Sequence, residues 1–307
     1  MSAICLICGW HNCFCDLEDQ NIAEVETAIS YDVKDVIMKK HTVALALVIS
    51  LCATAQVAAR TVCTVVMDEA AVEVLHQTGD CENRVTPAST FKIALALMGY
   101  DAGILQDSHT PALPFRESYP DWGGDNWRQT TDPERWMKYS VVWFSRQITP
   151  ILGTSLLTQY ATGFGYGNAD FNGDFAQSNG LERAWMSSSL QISPREQVNF
   201  LSRMIRYDLP VSVESIDRTL AIIESTETSG GWRIWGKTGA AYPRGDTGSF
   251  DYTRGWGWFV GWAKRDGTTL VFAHLLQDER RHDASPGLRA RATILDGFDD
   301  LVSEVVQ

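Results

Sequence analysis

The sequence predicts an α/β domain in which a mostly antiparallel sheet, flanked by helices, is interrupted by an inserted all-helical region. Three observations carry this reading. Residues 61–80, "TVCTVVMDEAAVEVLHQTGD", form two β-rich runs around a short turn. From about residue 112 to about 226 the pattern is mainly helical. Strand patterns return in "GWRIWGKTG" and "GWGWFVGWAKRDGTTLVFAHLLQD", and a closing helix follows. The α/β parts are therefore about 60–111 and 227–307.

The chain has 307 residues and a formal net charge of −12. An acidic balance does nothing to offset phosphate repulsion, which argues against nucleic acid and anionic membranes as partners. No apolar run reaches the roughly 18 residues of a membrane span, and there is no internal repeat. Met38-Lys39-Lys40-His41 is a positively charged start, Thr42 to Leu51 a short apolar core, and Val57-Ala58-Ala59 a set of small residues before a cut at Arg60. This is the pattern of a secretory signal peptide over 38–59, too short to be a stable membrane anchor. It predicts an exported, periplasmic protein whose mature part is a single domain, 60–307. The upstream segment, 1–37, holds Cys5, Cys8, Cys13 and Cys15 around His11. That spacing suits a small zinc site, or the start was assigned too early and translation begins at Met38; the second reading is adopted. Beyond the leader two cysteines remain, Cys63 and Cys81, which in an exported chain read as one disulfide rather than two buried thiols.

In "TPASTFKIALAL", Thr86 can cap a helix with Pro87 at its first position, and Asp101-Ala102-Gly103 can close it. Every residue from Phe91 to Met98 except Lys92 is apolar, so this helix is expected to be buried on all sides. The helical middle is thickened by Trp122, Trp127, Trp136, Trp143 and Trp185, and "SPREQVNFLSRMIRY" is an amphipathic helix. Asp266-Gly267 is the turn of a late hairpin, and the last helix runs from about Ser285 to Glu304.

Only four lysines follow Arg60: Lys92, Lys138, Lys237 and Lys264. Lys92 closes Ser-x-x-Lys from Ser89, and Lys237 opens Lys-Thr-Gly at the end of an apolar strand. Three apart on a helix, Ser89 and Lys92 share a face. A serine nucleophile needs a base, and burial pushes an amine toward its neutral, proton-accepting form. Near the start of its helix, the Ser89 amide lacks a helical acceptor and, with a second amide from a strand, can hold a developing oxyanion. Lys237 and Thr238 add charge and a hydroxyl suited to a substrate carboxylate. Taken singly, Lys92 reads as a snorkelling lysine, "KTG" as a turn, Ser140 as an exposed serine, "YGN" from Tyr166 as another turn and Trp185 as core. Together and in this order, Ser89, Lys92, Ser140 and Lys237-Thr238-Gly239 form a serine acyl-enzyme signature. His76, His109, His274 and His282 have no metal-ligand partner at helical spacing, no Gly-x-Ser-x-Gly occurs, and no glycine-rich phosphate loop follows a strand.

These residues make the chain resemble the class D, oxacillinase-type, serine β-lactamases, from about Thr61 to near the C-terminus. "STFK" from Ser89, "SVV" from Ser140, "YGN" from Tyr166, "KTG" from Lys237 and "GWFVGW" from Gly257 match the family's motifs in order. The resemblance implies a serine β-lactamase/penicillin-binding-protein-like fold and hydrolysis of penicillin-type antibiotics through an acyl-serine. It implies Ser89 as nucleophile and Lys92, carboxylated by carbon dioxide from bicarbonate, as general base, with no other cofactor and no metal. Trp185 would hydrogen-bond that added group, and Ser140 would pass a proton to the lactam nitrogen beside Lys237. The amides of Ser89 and Ala240 would form the oxyanion hole, with Val142, Tyr166, Thr238 and Gly239 around the substrate. Arg289 best matches the arginine that pairs with the drug's carboxylate, with Arg291 close enough to leave the choice open. Ala240 departs from the aromatic residue that many members carry there. A non-hydrolysing β-lactam sensor domain and a penicillin-binding transpeptidase or carboxypeptidase share the core motifs, and monomer or homodimer stays undecided.

Overall fold

The computed structural model describes residues 59–245 and 248–303. The expected signal peptide, the upstream cysteines and the start at Met38 lie outside the described residues, apart from Ala59. The domain opens with the expected hairpin, β1 (Arg60–Asp68) and β2 (Glu73–Gly79), tied at its far end by a disulfide between Cys63 and Cys81. The nucleophile segment follows as a 3₁₀ turn, Ala88–Thr90, running into α1 (Phe91–Asp101). The middle of the chain supplies α2 (Pro133–Tyr139), α3 (Val142–Phe164), a short α4 (Gly180–Arg183), α5 (Pro194–Ile205) and α6 (Val213–Ala221). Then come β3 (Ser225–Glu227), β4 (Arg233–Ala241), β5 (Trp256–Arg265), β6 (Thr268–Gln277) and α7 (Pro286–Ser303).

The six strands form one sheet in the order β2-β1-β6-β5-β4-β3, with every recorded pair antiparallel. The β5–β6 hairpin turns at Asp266-Gly267, both at positive φ (50° and 85°), as an Asp-Gly turn requires. α5 begins at a capping box between Ser193 and Glu196, with Pro194 in its first turn. α3 is broken at Gly153 (φ 70°), just after Pro150, so it is two helices meeting at a kink.

Two local expectations need correction. Thr86 does not cap a helix, because its hydroxyl is taken across the fold: it donates to the Trp185 carbonyl and accepts from the Ser187 amide. The strand β3 falls at the end of the segment read as helical. At three residues it is too short to show a pattern of its own, and it forms by pairing with the start of β4.

Two apolar layers sandwich the sheet. On one face α7 packs through Ala290, Ile294, Phe298 and Val302 against Phe259 and Phe272. On the other, the helical region closes over α1, in which every residue from Phe91 to Tyr100 is buried. Close backbone approach seats α7. A Cβ on Gly257 would lie 2.3 Å from the Pro286 carbonyl oxygen, and one on Gly287 would lie 2.6 Å from that of Gly239. These contacts fix α7 beneath the end of β4 that bears Gly239 and Ala240.

His274 on β6 is buried, and its Nδ1 shares a 2.8 Å hydrogen bond with the Thr64 hydroxyl. Burial lowers its pKa from 6.5 to about 4. Below about pH 6.5 the unfolded chain binds a proton here that the folded chain refuses until about pH 4, so His274 erodes stability as pH falls through that window. The loss amounts to roughly 3 kcal/mol at most. His274→Asn is expected to flatten the fall of melting temperature between pH 7 and 4, measured by circular dichroism; a slope identical to the wild type's would refute this.

Candidate active site

The nucleophile turn is held against the sheet by a glycine. A Cβ on Gly239 would lie 2.8 Å from the Pro87 carbonyl oxygen and 3.1 Å from Thr90 Cγ2, so only glycine lets β4 run this close to Ser89. Ala88, just before the serine, is held at φ 50°, where a non-glycine residue is strained. The Trp258 indole nitrogen on β5 donates to the Thr86 carbonyl at 2.9 Å, and the Thr90 hydroxyl donates to that of Pro87 at 2.7 Å. The turn is therefore anchored on both sides of the serine.

Lys92 and Ser89 meet as their spacing predicts, with Lys92 Nζ 3.2 Å from Ser89 Oγ. Lys92 is 1% exposed, whereas Ser89 is half-buried. Burial, helped by the charge of Lys237, holds the Lys92 ammonium well below its usual range. A second serine–lysine pair faces the first. Ser140 closes α2 in the left-handed conformation (φ 57°, ψ 36°), which turns its hydroxyl toward β4, where Lys237 Nζ donates to it at 2.5 Å. Burial lowers the Lys237 pKa to about 8, against a smaller opposing pull from Glu224. Both lysines thus lie behind the hydroxyl they serve.

The segment "YGN" works from within the core. Tyr166 is fully buried, with its ring 5.8 Å from that of Phe91 and edge-on to Phe200 at 5.1 Å. Expected around the substrate, it instead braces the nucleophile helix, because its apolar ring is enclosed by these neighbours. Gly167, at φ 58°, leaves no room for a Cβ, which would lie 1.9 Å from the Gln191 carbonyl oxygen. Asn168 accepts from the Gln191 amide at 2.9 Å and donates to the Ser189 carbonyl at 2.8 Å. Together these pin the strip that follows Trp185.

Trp185 stacks on Phe91, beside Lys92, at 5.5 Å between ring centroids. Its indole nitrogen is buried and has no hydrogen-bond partner among the described residues. Such a donor is costly to leave unpaired, and it matches a missing acceptor. A buried amine whose pKa is lowered, and an orphaned indole N–H stacked on the adjoining Phe91, suit the carboxyl group that the resemblance places on Lys92, so these residues fit it.

Val142 is buried at the start of α3, and Ala240 is exposed at the end of β4. Thr238 borders a cavity beside Lys237, whereas Gly239 packs on the nucleophile turn. The two arginines part company. Arg289 forms an ion pair with Asp278, a carboxylate left 3% exposed, and its Nε donates to the Ala284 carbonyl. Arg291 donates to the Thr226 hydroxyl at 2.7 Å and borders the same cavity as Thr238. Sequence reading missed Asp278, Thr86 and Phe91. The first two act through contacts far away in the chain, and Phe91 looked like ordinary core.

A family model described as penicillin binding protein transpeptidase domain matches residues 62–296. The chain is 40% identical over 233 residues to "Beta-lactamase OXA-9" of Klebsiella pneumoniae, covering 76% of this chain and 85% of that protein. It is 30% identical over 208 residues to the "Methicillin resistance mecR1 protein" of Staphylococcus aureus, covering 67% of this chain but 32% of that protein. Among solved structures, the OXA-427 class D β-lactamase superposes with a TM-score of 0.73 at 41% identity, covering 80% of this chain and all of that one. A serine with a buried lysine 3.2 Å away, a second serine–lysine pair and these likenesses have one conclusion: the chain belongs to the class D β-lactamases.

Proposed function

We propose that this protein hydrolyses the β-lactam amide of penicillin-type antibiotics, forming an acyl-enzyme on Ser89. The observation that carries the reading is the 3.2 Å contact between Ser89 Oγ and the buried, neutral-leaning Lys92 Nζ. Ser89 Oγ attacks the lactam carbonyl carbon and gives up its proton toward Lys92. The amides of Ser89 and Ala240 receive the developing oxyanion. Ser140, bonded to Lys237, delivers a proton to the lactam nitrogen as the C–N bond breaks. Lys92 passes the first proton on to restore Ser140; water then attacks the ester carbonyl, its proton goes by way of Lys92 to Ser89 Oγ as the ester bond breaks, and Ser89 is released with the ring-opened acid. Carboxylation of Lys92 by carbon dioxide would supply an oxygen base that reaches both the serine and the water. Thr238 and Lys237 would receive the ring carboxylate.

Two readings of the same motifs compete: a sensor that acylates without turning over, and a transpeptidase that passes the acyl group to an amine. The unpaired Trp185 indole nitrogen favours hydrolysis, since it prepares the Lys92 side of the site for the second, water-consuming step. No helix among the described residues is long and apolar enough to cross a membrane. Export to the periplasm follows from the leader pattern over 38–59.

Lys92→Ala is expected to lower penicillin turnover at least a thousandfold even at saturating bicarbonate, and acylation of Ser89, followed by intact-protein mass spectrometry, should slow as well. Retained turnover would show that another base works. Because the Lys92 pKa is lowered, acidification charges the amine and should remove activity, which bicarbonate restores after return to neutral pH. Recovery indifferent to bicarbonate would rule out carboxylation. Trp185→Phe is expected to slow deacylation more than acylation, so that acyl-enzyme accumulates at steady state. An unchanged ratio of the two rates would remove Trp185 from the mechanism.

A further inference from the structure

The layer beneath α7 is apolar except at one end. Register places Thr64 between His274 on β6 and Thr78 on β2, and Val66 between Phe272 and His76. Val66 and Phe272 pack in the apolar layer that α7 covers. Side chains two apart on a strand share a face, so Thr64, His274, His76 and Thr78 also point to that side, away from α1. There the sheet and α7 do not close. A cavity of about 360 Å³ remains, lined by these four residues and, from α7, by Gly297 and Leu301.

Three features of this space work against a packed core. His274 is buried, its Nδ1 is bonded to the Thr64 hydroxyl, and its Nε2 has no partner among the described residues. A buried ring nitrogen left in that state is unfavourable. Gly297 lies inside α7, where glycine is a weaker helix former than alanine. A Cβ there would meet nothing within 4 Å, so no close approach requires the glycine. Polar side chains stand at Thr64 and His274, where the same face one step along carries Val66 and Phe272. Unfavourable choices that converge on one space mark a site kept for something other than stability.

The lining defines what fits. Among the described residues no Asp, Glu, Lys or Arg borders the cavity, so a charged ligand would lose its water without gaining a counter-charge. The hydroxyls of Thr64, Thr78 and, from α7, Thr293 can donate or accept, while Ile294 and Leu301 offer apolar contact. The volume lies in the range of small-molecule sites. We infer that the cavity is a binding site, separate from Ser89, for a small neutral molecule that sets hydroxyl groups against the strands and an apolar part against α7. Because the site lies on the face of the sheet opposite α1, occupancy stabilises the domain and leaves the chemistry at Ser89 as it was.

The probe is a vicinal hexanediol, with hexanoate and hexylammonium as charged analogues of the same chain length. In an NMR titration the amide signals of Thr64, His274 and Gly297 are expected to shift together and to saturate, with half-saturation on the order of 1 mM. The charged analogues should bind at least tenfold more weakly. Gly297→Leu puts a side chain into the open space and favours the helix, so it is expected to weaken diol binding at least tenfold with penicillin turnover unchanged. Thr78→Val, at an exposed position, keeps the side chain's shape and should weaken binding several-fold, which preserves the test where leucine disturbs α7. Shifts that never saturate, equal binding of the charged analogues, or binding unchanged in both variants would overturn the site.

Discussion

The structure turns on the burial of one amine. Lys92 sits in a helix whose every residue from Phe91 to Tyr100 is enclosed, in a place where a charged lysine would be unfavourable by several kcal/mol. The chain meets this by lowering the amine's pKa through burial rather than by giving it a carboxylate partner. A carboxylate would have stabilised the ammonium and disabled the base. The nearest strong electrostatic neighbour is another lysine, Lys237, which pushes the same way. Burial and like charge thus act together, and the surrounding apolar packing is a condition of the chemistry.

That requirement organises the layers around α1. Phe91 is the hub, with Tyr166, Phe171 and Trp185 all within 5.8 Å of its ring centroid. Tyr166 begins "YGN" and Trp185 begins the strip that Asn168 pins, so one aromatic side chain links the nucleophile helix to both loops. Thr86 closes the circuit, binding the Trp185 carbonyl and the Ser187 amide while its own carbonyl takes the Trp258 indole from the sheet. The unpaired Trp185 nitrogen is therefore held in place by its surroundings, not left loose.

Much of this was legible in the sequence because its signals are local. Hairpins, the amphipathic pattern of α5, the Asp-Gly turn and the spacing of Ser89 to Lys92 depend on near neighbours, and each formed where its pattern stood. The motif order located the two serine–lysine pairs, although only the fold brings them face to face. What stayed hidden depends on contacts between distant residues. Nothing near Tyr166 says that it is enclosed, and β3 exists only because β4 passes beside it. That Arg289 pairs with Asp278, at the end of a different strand, could not be read from spacing either.

The two lysines also divide the work by depth of charge. Lys92, its pKa lowered by burial and by Lys237, bonds to the Ser89 hydroxyl and to no carboxylate among the described residues, so it suits the removal of protons. Lys237, with a pKa of about 8, keeps its proton at neutral pH and can hold Ser140 ready to give one. What separates them is Glu224, whose charge reaches Lys237 and raises its pKa, whereas only burial and a like charge act on Lys92. Glu224 is itself paired with Lys138 at the rim of the cavity, which couples the protonation of the inner lysine to the charge state of the surface.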